Sequence, residues 1–488
     1  MSIETAPQIE IQDRALIGGL WLAASSGAEI DVTNPTTDKL ITTVPRGGAA
    51  DARAAVDAAS GALPSWRALP GSERSKLLRR LYELMMRDQD RLGRLMTQEQ
   101  GKPLAEAKGE IAYAAGFIEW SAEEAKRIYG ETVQAFVANK RILVLRQPIG
   151  VVAAITPWNF PAAMITRKVG PALAAGCTVV VKPASQTPLT AIAIGALAME
   201  AGFPAGVVNI LPGVATEIAD AWLSDSRVRA LSFTGSTEVG KELMTKAAQH
   251  VTRLSLELGG HAPFLVFDDA DVDAAVAGAI DSKFRNAGQT CVCANRIYVQ
   301  SGIYDRFAER LTKAVEALKV GPGTEPGVRI GALVDDRAMA KVEEHVANAL
   351  SLGARIRTGG RRLPQGDGYA DRFYAPTVLE NVTPAMKVSF EETFGPVAPL
   401  IRFDTEEEAI RLANDTPFGL AAYFYTRDAS RLVRVAEALE YGIVGANDGL
   451  PSTPQAPFGG MKESGIGREG GKWGVEEYLE VKYVSWGL

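Results

Sequence analysis

The sequence predicts an α/β protein whose strands form parallel sheets. Short apolar segments alternate with longer helical segments, first from residue 149 onward and again from residue 263. The strand segments, such as IGVVAAI and PFLVF, are apolar throughout, which is typical of parallel strands that helices cover on both faces. Ligands of such sheets bind at the carboxyl ends of the strands, so we expect a site at that edge.

The region before the first α/β block is predicted to be mainly helical. Leucines and methionines over 72–97 recur at the spacing of an amphipathic helix, and Ser121 followed by Glu124 resembles a capping box at the start of another helix. Two β-type runs predict a hairpin over 133–146. In the first block, we predict strands at 149–155, 177–181, 207–211 and 230–233, and helices at 166–175, 188–201 and 236–248.

The second block repeats the alternation of strand and helix. Its apolar runs and amphipathic segments have the lengths expected of strands and helices, respectively. The chain then ends in YLEVKYVSW, whose β-branched and aromatic residues predict a last strand at 478–486. Within this block, we predict strands at 263–267, 296–300 and 355–358, and helices at 270–285, 304–319 and 334–352.

Composition excludes several classes of protein. The 488 residues carry 52 Lys and Arg against 58 Asp and Glu, a net charge of −6, which argues against a general nucleic-acid binder. Three cysteines cannot form a disulfide framework, and three scattered histidines make a histidine-based metal site unexpected. The longest uncharged stretch, 147–166, contains prolines that break a helix, so we expect no membrane span. With no secretory signal, the expectation is a cytoplasmic protein.

One cysteine stands in a setting that suits chemistry. The common signatures of phosphate loops, zinc proteases and serine hydrolases are missing from the sequence. Cys291 follows Asn-Ala-Gly-Gln-Thr in a polar loop between a helix and a strand, and such loops often present reactive groups. Cys177 instead lies within an apolar strand and is interpreted as a small buried hydrophobe. From the residues alone, Cys291 is either a nucleophilic or redox thiol or another packed side chain.

A nucleophilic thiol needs a base or a positive local field. Its ordinary pKa of about 8.5 leaves only a few per cent thiolate at neutral pH, and none of the three histidines lies in a recognisable arrangement. A carboxylate is the next candidate. Glu257 ends an apolar run just before a glycine pair, which lets backbone or ligand approach closely. The alternative interpretation of Glu257 is a surface glutamate at the end of a strand.

Seven short motifs follow one another along the chain. Together, in this order, they make the sequence resemble the aldehyde dehydrogenase superfamily over essentially its whole length. Within that superfamily, segments 164–168, 282–293 and 440–445 are most similar to the succinate-semialdehyde dehydrogenases of the NADP-preferring type. The seven motifs are TPWNFP at 156–161, KPAS at 182–185, FTGST at 233–237, LELGG at 256–260, GQTC at 288–291, ETFGP at 392–396 and PFGG at 457–460.

The resemblance implies an architecture of two α/β domains and a small β element. The first is a discontinuous Rossmann-like cofactor domain, the second an α/β catalytic domain, and the β element serves oligomerisation, so we expect a homodimer or homotetramer. Strands left at an exposed edge invite such pairing. The expected boundaries are 1–130 and 149–258 for the cofactor domain, 259–445 for the catalytic domain, 131–148 and 471–488 for the oligomerisation strands, and 446–470 for a substrate loop and the return to the cofactor domain.

The resemblance also implies a reaction, the oxidation of an aldehyde to an acid with a nicotinamide cofactor and no metal. Cys291 thiolate would attack the carbonyl carbon, and the side-chain amide of Asn159 and the N–H of Cys291 would stabilise the oxyanion. Hydride transfer from this thiohemiacetal would leave a thioester, and Glu257 would activate the water that hydrolyses it. The presence of Glu257 favours hydrolysis over transfer to CoA. Without the resemblance, Asn159 would be interpreted as a turn residue between two prolines.

The implied cofactor is NADP, with NAD tolerated. Lys182 would contact the adenosine ribose, and Ser185 stands where NAD-preferring members commonly carry a glutamate. A carboxylate there would repel a 2′-phosphate, whereas a serine can donate a hydrogen bond to it; the alternative is that Ser185 only caps a helix. The remaining residues implied in cofactor binding are Thr156, Trp158, Gly235, Ser236 at a helix start where the pyrophosphate would bind, and Glu392 and Phe394 at the nicotinamide riboside.

The implied substrate is succinate semialdehyde, an aldehyde with a distal carboxylate. Arg167 and Arg285 match carboxylate-binding arginines of the family, helped by Ser452, and guanidinium groups suit a carboxylate. The loop carrying Ser452 departs from the usual pattern because Pro451 and Pro454 stiffen it and remove backbone donors. Glutarate semialdehyde or another ω-carboxylated aldehyde is therefore an alternative substrate.

Three further hypotheses remain. Cys293 matches a subset of the family in which the neighbouring cysteine closes a disulfide with the nucleophile, so reversible oxidative inactivation is one of them. A catalytically silent relative with a scaffolding role is the second, which the joint presence of Cys291, Glu257, Asn159 and Lys182 opposes. A cysteine hydrolase that uses no cofactor is the third.

Overall fold

The computed structural model describes residues 12–488 and confirms the α/β class. The strands in chain order are β1 (Ala15–Ile17), β2 (Leu20–Leu22), β3 (Glu29–Thr33), β4 (Leu40–Pro45), β5 (Glu131–Val133), β6 (Lys140–Pro148), β7 (Val151–Ile155), β8 (Thr178–Lys182), β9 (Val208–Ile210), β10 (Val228–Thr234), β11 (Arg253–Glu257), β12 (Ala262–Val266), β13 (Ala294–Gln300), β14 (Arg355–Thr358), β15 (Thr377–Glu380), β16 (Val397–Phe403), β17 (Phe418–Gly419), β18 (Ala421–Tyr425), β19 (Ile443–Ala446), β20 (Met461–Lys462), β21 (Gly465–Ile466) and β22 (Leu479–Gly487).

The helices cluster before the first sheet and between the strands of both sheets. They are α1 (Ala49–Ala68), α2 (Gly71–Arg87), α3 (Gln89–Gln100), α4 (Leu104–Glu124), α5 (Ala163–Ala175), α6 (Leu189–Ala201), α7 (Ala215–Leu223), α8 (Thr237–Ala247), α9 (Val272–Phe284), α10 (Tyr304–Glu316), α11 (Asp336–Ser351), α12 (Lys387–Phe390), α13 (Glu406–Asn414), α14 (Ala429–Ala438) and α15 (Gly471–Glu476).

The first sheet has eight strands in the order β2-β1-β9-β8-β7-β10-β11-β21. The five from β9 to β11 are parallel, and antiparallel strands extend both edges. Successive side chains of β7 enter different cores: Val152 and Ala154 pack with α2 to α6, whereas Val151 and Ala153 pack with α1 and α7. Because helices cover both faces, the strands are apolar throughout.

The second sheet has seven strands in the order β14-β15-β16-β13-β12-β18-β19. Only β14 is antiparallel to its neighbour. A single apolar core, which includes Phe264, Phe307 and Phe424, joins this sheet to α9, α10 and α11. The loop between α9 and β13, which carries Cys291, therefore projects from a rigid α/β scaffold.

A separate three-stranded antiparallel sheet has the order β22-β6-β5. The predicted hairpin and the predicted last strand are both confirmed, and they pair with each other from Leu479 opposite Pro148 to Gly487 opposite Lys140. Apolar side chains on β22 remain exposed, among them Val481, Tyr483 and Trp486.

Two predictions in the helical region are wrong. The amphipathic segment at 72–97 is two helices, because the chain breaks at Asp88, whose carboxylate accepts hydrogen bonds from Arg87 and Arg91 at 2.7 Å each. The pair Ser121 and Glu124 ends α4 instead of starting a helix. The Ser121 hydroxyl donates to the carbonyl of Phe117 one turn earlier, which is how serine bonds within a helix rather than at its start.

Two structural features are absent from residues 12–488. None of the helices in this part of the chain is both long and apolar enough to cross a membrane. Within the same residues, no cluster of three or more His, Cys, Asp or Glu side chains has the grouping that a metal ion requires.

Candidate active site

The loop that carries Cys291 has a strained backbone. Three successive residues, Asn286, Ala287 and Gly288, adopt left-handed φ angles of 51°, 55° and 74°, a conformation that costs energy for residues with a side chain. A Cβ at Gly288 would lie 2.2 Å from the carbonyl oxygen of Gly395, so only glycine fits. The strain persists because side chains from distant parts of the fold hold this turn.

The Cys291 thiol is free and partly buried. Burial raises its pKa to about 12, and the Glu392 and Glu257 carboxylates add to the rise, whereas the Arg167 and Arg285 guanidinium groups oppose it. Cys291 is therefore a thiol at neutral pH, and formation of its thiolate requires a base or a cation nearby.

Asn159 follows β7 and lies beside the Cys291 loop. Its side chain is 3% exposed, and its Nδ2 donates to the carbonyl of Gln289 at 3.1 Å. The amide carries a second N–H, and Asn159 lines the same cavity as Cys291. The two oxyanion donors implied by the resemblance, the Asn159 amide and the Cys291 N–H, thus meet from segments far apart in the sequence.

A cavity of about 350 Å³ lies on one side of Cys291. Trp158 and Phe394 border it with their rings edge to face, at 82° and 5.6 Å between centroids. The predicted site residues that line this cavity are Trp158, Asn159, Gly235, Ser236, Cys291, Glu392 and Phe394. The cavity therefore brings together Cys291 and the residues expected at a nicotinamide riboside and a pyrophosphate.

Glu392 lines this cavity, and its carboxylate can bind hydroxyl groups. Burial raises its pKa to about 7, opposed by Lys341 and by the N–H of Gly260, which donates to Oε1 at 3.4 Å. Oε2 is 3.7 Å from the position that a Cβ on Gly259 would occupy. Since an ionised carboxylate accepts several hydrogen bonds, Glu392 suits the ribose hydroxyls of a nucleotide.

The start of α8 fits an anionic group. Ser236 is the N-cap residue, and its hydroxyl accepts from the N–H of Val239 at 3.4 Å. A Cβ at Gly235 would lie 2.3 Å from the Phe233 ring, so a side chain there is excluded and the backbone stays open. Free N–H groups and the helix dipole at such a terminus favour phosphate.

Thr156, Lys182 and Ser185 lie along the carboxyl edge of the first sheet but do not line the cavity around Cys291. The N–H of Thr156 donates to the carbonyl of Lys182 at 3.1 Å. Burial alone lowers the pKa of Lys182 to about 8, and among the described residues no carboxylate forms an ion pair with its ammonium. An uncompensated cation at this edge fits the ribose or phosphate of a bound nucleotide.

The alternative that Ser185 caps a helix is wrong. Helix α6 begins at Leu189, and the buried Glu99 carboxylate accepts from the N–H groups of Leu189 at 2.7 Å and Thr190 at 2.8 Å. Ser185 is partly buried, and its hydroxyl donates only a long 3.5 Å bond to the carbonyl of Gly213. Its hydroxyl is thus not committed to the helix start.

Glu257 lies at the end of β11 and is 2% exposed, so it is not a surface glutamate. Neither carboxylate oxygen has a hydrogen-bond partner among residues 12–488. Burial raises its pKa well above the ordinary value and Glu469 adds to the rise, whereas Lys168 and Arg167 oppose it. A buried carboxyl with unused oxygens is suited to accept a proton from water.

The predicted substrate arginines differ in their surroundings. Arg167 on α5 is buried; it lies 4.3 Å from the centroid of Phe458, donates to the Tyr113 hydroxyl at 3.0 Å and approaches Glu469 at 3.5 Å. Arg285 is partly buried over the ring of Phe160, at 5.4 Å. Both guanidinium groups retain buried N–H groups that lack partners.

The last two predicted site residues, Ser452 and Cys293, do not line the cavity beside Cys291. Ser452 is partly buried in the segment between β19 and β20, and its hydroxyl forms no hydrogen bond to Arg167 or Arg285 within the described structure. Cys293 is fully buried as a free thiol and donates to the carbonyl of Lys283 at 3.3 Å. A disulfide with Cys291 would require this side chain to turn.

Four charged residues near the site have no counterpart in the sequence-based prediction. Lys168 and Glu469 form a buried ion pair next to Glu257, and Lys102 and Glu110 form another next to Asn159. A signal existed for Lys168 alone, since a lysine within the apolar helix of residues 163–175 must be buried and paired. The partner Glu469 lies 301 residues away, beyond any local pattern.

Comparison with known proteins settles the family. Residues 21–484 match the aldehyde dehydrogenase family. The chain belongs to the aldehyde dehydrogenase family. It is therefore an oxidoreductase that uses a nicotinamide cofactor and acts on aldehydes, and the predicted membership is confirmed.

Several relatives are similar over nearly the whole chain. The succinate-semialdehyde dehydrogenase [NADP(+)] of Escherichia coli (strain K12) is 61% identical and covers 98% of each chain. A glutarate-semialdehyde dehydrogenase of Pseudomonas putida is 60% identical and covers 97% of each. Among solved structures, an NADP-dependent enzyme of Escherichia coli has a TM-score of 0.97 at 59% identity, covering 100% of both chains.

Proposed function

We propose that this aldehyde dehydrogenase oxidises succinate semialdehyde to succinate, with NADP⁺ as the preferred oxidant. The observation that carries the proposal is the position of Cys291, between a cavity suited to a nicotinamide and two guanidinium groups, Arg167 and Arg285, whose charges act on its thiol. A substrate whose aldehyde carbon lies at Sγ thus has cations nearby for a distal carboxylate. The name of the 61% identical relative supports the same substrate.

The residues of the chain perform the steps at the carbonyl carbon. The Cys291 thiol releases its proton to solvent, and Sγ bonds to this carbon as the C=O π bond opens. The Asn159 amide and the Cys291 N–H stabilise the oxyanion that forms. NADP⁺, when bound, accepts the hydride that leaves the carbon. Water then attacks the thioester left on Cys291 while Glu257 takes a proton from that water. Succinate leaves, and Cys291 recovers its thiol.

The preference for NADP rests on the end of β8. Lys182 has no carboxylate partner there, and Ser185 leaves its hydroxyl largely uncommitted. Both features favour a 2′-phosphate, which carries close to two negative charges. Neither side chain would repel the uncharged 2′-hydroxyl of NAD, so NAD remains a weaker alternative.

One observation favours a second substrate. Pro454 packs on α4: a Cβ at Gly116 would lie 3.1 Å from its Cγ. The loop over 451–458 thus rests on the helix that carries Tyr113 and Phe117, both of which contact Arg167. A different loop shape changes the distance available between Cys291 and the guanidinium groups, so glutarate semialdehyde is the alternative, and a relative of that name supports it.

Steady-state kinetics on the purified protein test the proposal. Specificity constants are measured for succinate semialdehyde, glutarate semialdehyde and uncharged butanal, each with NADP⁺ and with NAD⁺. We expect succinate semialdehyde with NADP⁺ to give the largest value and butanal the smallest with either cofactor. A larger value for glutarate semialdehyde would transfer the assignment to that substrate, and a largest value for butanal would contradict the role of the arginines.

The assembly and the domain division are part of the same proposal. The exposed apolar face of β22, with Val481, Tyr483 and Trp486 each at least 60% exposed, supports a homodimer or homotetramer, since such faces mark interaction sites. The cofactor unit would be built on the first sheet and the catalytic unit on the second.

Three free cysteines fit a reducing compartment such as the cytoplasm. Light scattering of the purified protein distinguishes monomer, dimer and tetramer.

A further inference from the structure

Lys102 and Glu110 form an ion pair buried behind Asn159, and the proposed reaction does not use it. Lys102 Nζ lies 2.5 Å from Glu110 Oε2, and the side chains are 1% and 2% exposed. Lys102 belongs to the turn between α3 and α4, and Glu110 lies on α4. A buried ion pair is weak evidence for a stabilising role. The other hydrogen bonds of the pair therefore indicate what it does.

Within the described part of the chain, every remaining side-chain hydrogen bond of the pair is made to the segment that starts with Asn159. Lys102 Nζ donates to the carbonyl oxygen of Asn159 at 2.8 Å. Glu110 Oε1 accepts from the N–H groups of Ala162 at 3.0 Å and Ala163 at 3.2 Å, at the start of α5. Between these contacts, the ammonium lies 4.2 Å from the centroid of Phe160. The pair therefore holds both ends of this segment.

The same anchor reaches the Cys291 loop. The carbonyl of Asn159 also accepts from Asn286 Nδ2 at 3.0 Å, and Asn286 Oδ1 accepts from Gln100 Nε2 at 3.1 Å. Gln100 Oε1 in turn accepts from the N–H of Lys102 at 3.0 Å. Residues 100–102 thus connect the two segments that supply the oxyanion donors.

We propose that Lys102 and Glu110 are positioning residues that fix the Asn159 amide relative to the N–H of Cys291. The inference rests on the proposed function. An oxyanion hole lowers the barrier only when its donors are held in place before the charge develops. The ion pair holds the backbone at the carbonyl of Asn159 and at the N–H groups three and four residues further on, and this backbone sets the position of the Asn159 side chain.

A double-mutant cycle tests this coupling. The enzymes compared are the wild type, Lys102→Met, Asn159→Ala and the double variant, and the readout is the single-turnover rate of cofactor reduction with saturating succinate semialdehyde and NADP⁺. We expect Lys102→Met to lower this rate about 10- to 100-fold, less than the full loss of a donor, with the Kd of NADP⁺ unchanged. In the Asn159→Ala background, the same substitution should lower it less than twofold. Effects that multiply in the double variant would overturn the proposal.

Glu99 provides a matched control for Glu110. Both are buried carboxylates that cap a helix, but Glu110 caps α5 and pairs with Lys102, whereas Glu99 caps α6 through Leu189 and Thr190. We expect Glu110→Gln to slow the single-turnover rate as Lys102→Met does, and Glu99→Gln to lower Tm while keeping the wild-type rate at saturation. Equal losses of rate in both would assign Glu110 a purely structural role.

The two proposals fail in different ways. If Lys102→Met does not fold, Glu110→Gln replaces it in the cycle, with the same expected non-additivity. Wild-type turnover of succinate semialdehyde is measured first, because its absence would contradict the proposed function. An active wild type with unaffected or independently acting variants would contradict only the positioning role.

Discussion

The two sides of Cys291 hold their charges in different ways. On the cofactor side, Glu392 and Lys341 line a cavity of about 350 Å³. On the other side, Arg167, Lys168, Glu257 and Glu469 are each at most 3% exposed. The first group lines an open cavity, whereas the second is shielded from water.

This difference separates the two half-reactions. The cofactor side needs an entrance and aromatic walls, here Trp158 and Phe394, whose rings meet edge to face. The buried side needs a base, Glu257, whose protonated form is favoured by burial. Arg167 and Lys168 lie beside Glu257 and Glu469 there, and a guanidinium group suits a substrate carboxylate.

The largest effect is expected at the residue between the two sides. Replacing the thiol in Cys291→Ser or Cys291→Ala removes the nucleophile, so kcat for succinate semialdehyde should fall by about 10⁴-fold or more. Binding of NADP⁺, followed by fluorescence titration, should stay within about twofold of wild type. Undiminished oxidation by either variant would refute the assignment of Cys291.

The second-largest effect is expected for Glu257, which lies on the buried side. Glu257→Gln should slow thioester hydrolysis about 10²- to 10⁴-fold while leaving a first burst of reduced cofactor. Because burial raises the pKa of Glu257 and the ionised form is the base, the wild-type hydrolysis rate should rise as pH rises through that raised pKa. The variant should lose this dependence, measured as acid release from the preformed thioester. A variant with no burst would place Glu257 in an earlier step.

Arg167→Leu tests the charge of the buried side. The specificity constant for succinate semialdehyde should fall about 100-fold, since a buried charge partner is lost, while that for butanal falls much less. Arg167→Lys, which keeps the charge, serves as the control and should lie between the leucine variant and the wild type. Equal losses for both aldehydes would show that Arg167 supports the structure and does not recognise the carboxylate.

A smaller effect is expected on the cofactor side. Ser185→Glu places a carboxylate near the proposed 2′-phosphate, so the ratio of the NADP⁺ to the NAD⁺ specificity constant should drop about 10- to 100-fold through repulsion. Ser185→Gln, which is similar in size but uncharged, controls for bulk. An unchanged ratio in the glutamate variant would place the adenosine end elsewhere.

The smallest effect concerns Cys293. The Cys293 thiol donates a hydrogen bond to the carbonyl of Lys283. We therefore expect the basal activity of Cys293→Ala to stay within about twofold of wild type. After treatment with peroxide, the wild type should recover on addition of a thiol, because the two cysteines form a disulfide and water is released, whereas Cys293→Ala should not. Equal recovery in both would contradict the redox hypothesis.

Local patterns predicted the scaffold well and the charge pairs poorly. Apolar strand segments and the polar loop at Cys291 are properties of neighbouring residues, so the sequence shows them directly. The break at Asp88 was missed because the apolar spacing continues across it. The Lys168–Glu469 pair was missed because its members meet only after folding, 301 residues apart. The roles of Glu257 and Asn159 came from the family resemblance, since either residue alone has a simpler explanation.

The contact between Pro454 and Gly116 has a consequence for redesign of substrate length. A Cβ at position 116 would lie 3.1 Å from Cγ of Pro454, which is a tight contact. Substitutions in the helix and in the loop must therefore be made together. A loop transplanted from a relative with a bulkier residue at 454 would push against α4 and displace Tyr113 with it. We therefore expect chimeras that exchange residue 116 along with 451–458 to change the selectivity for substrate chain length without losing activity.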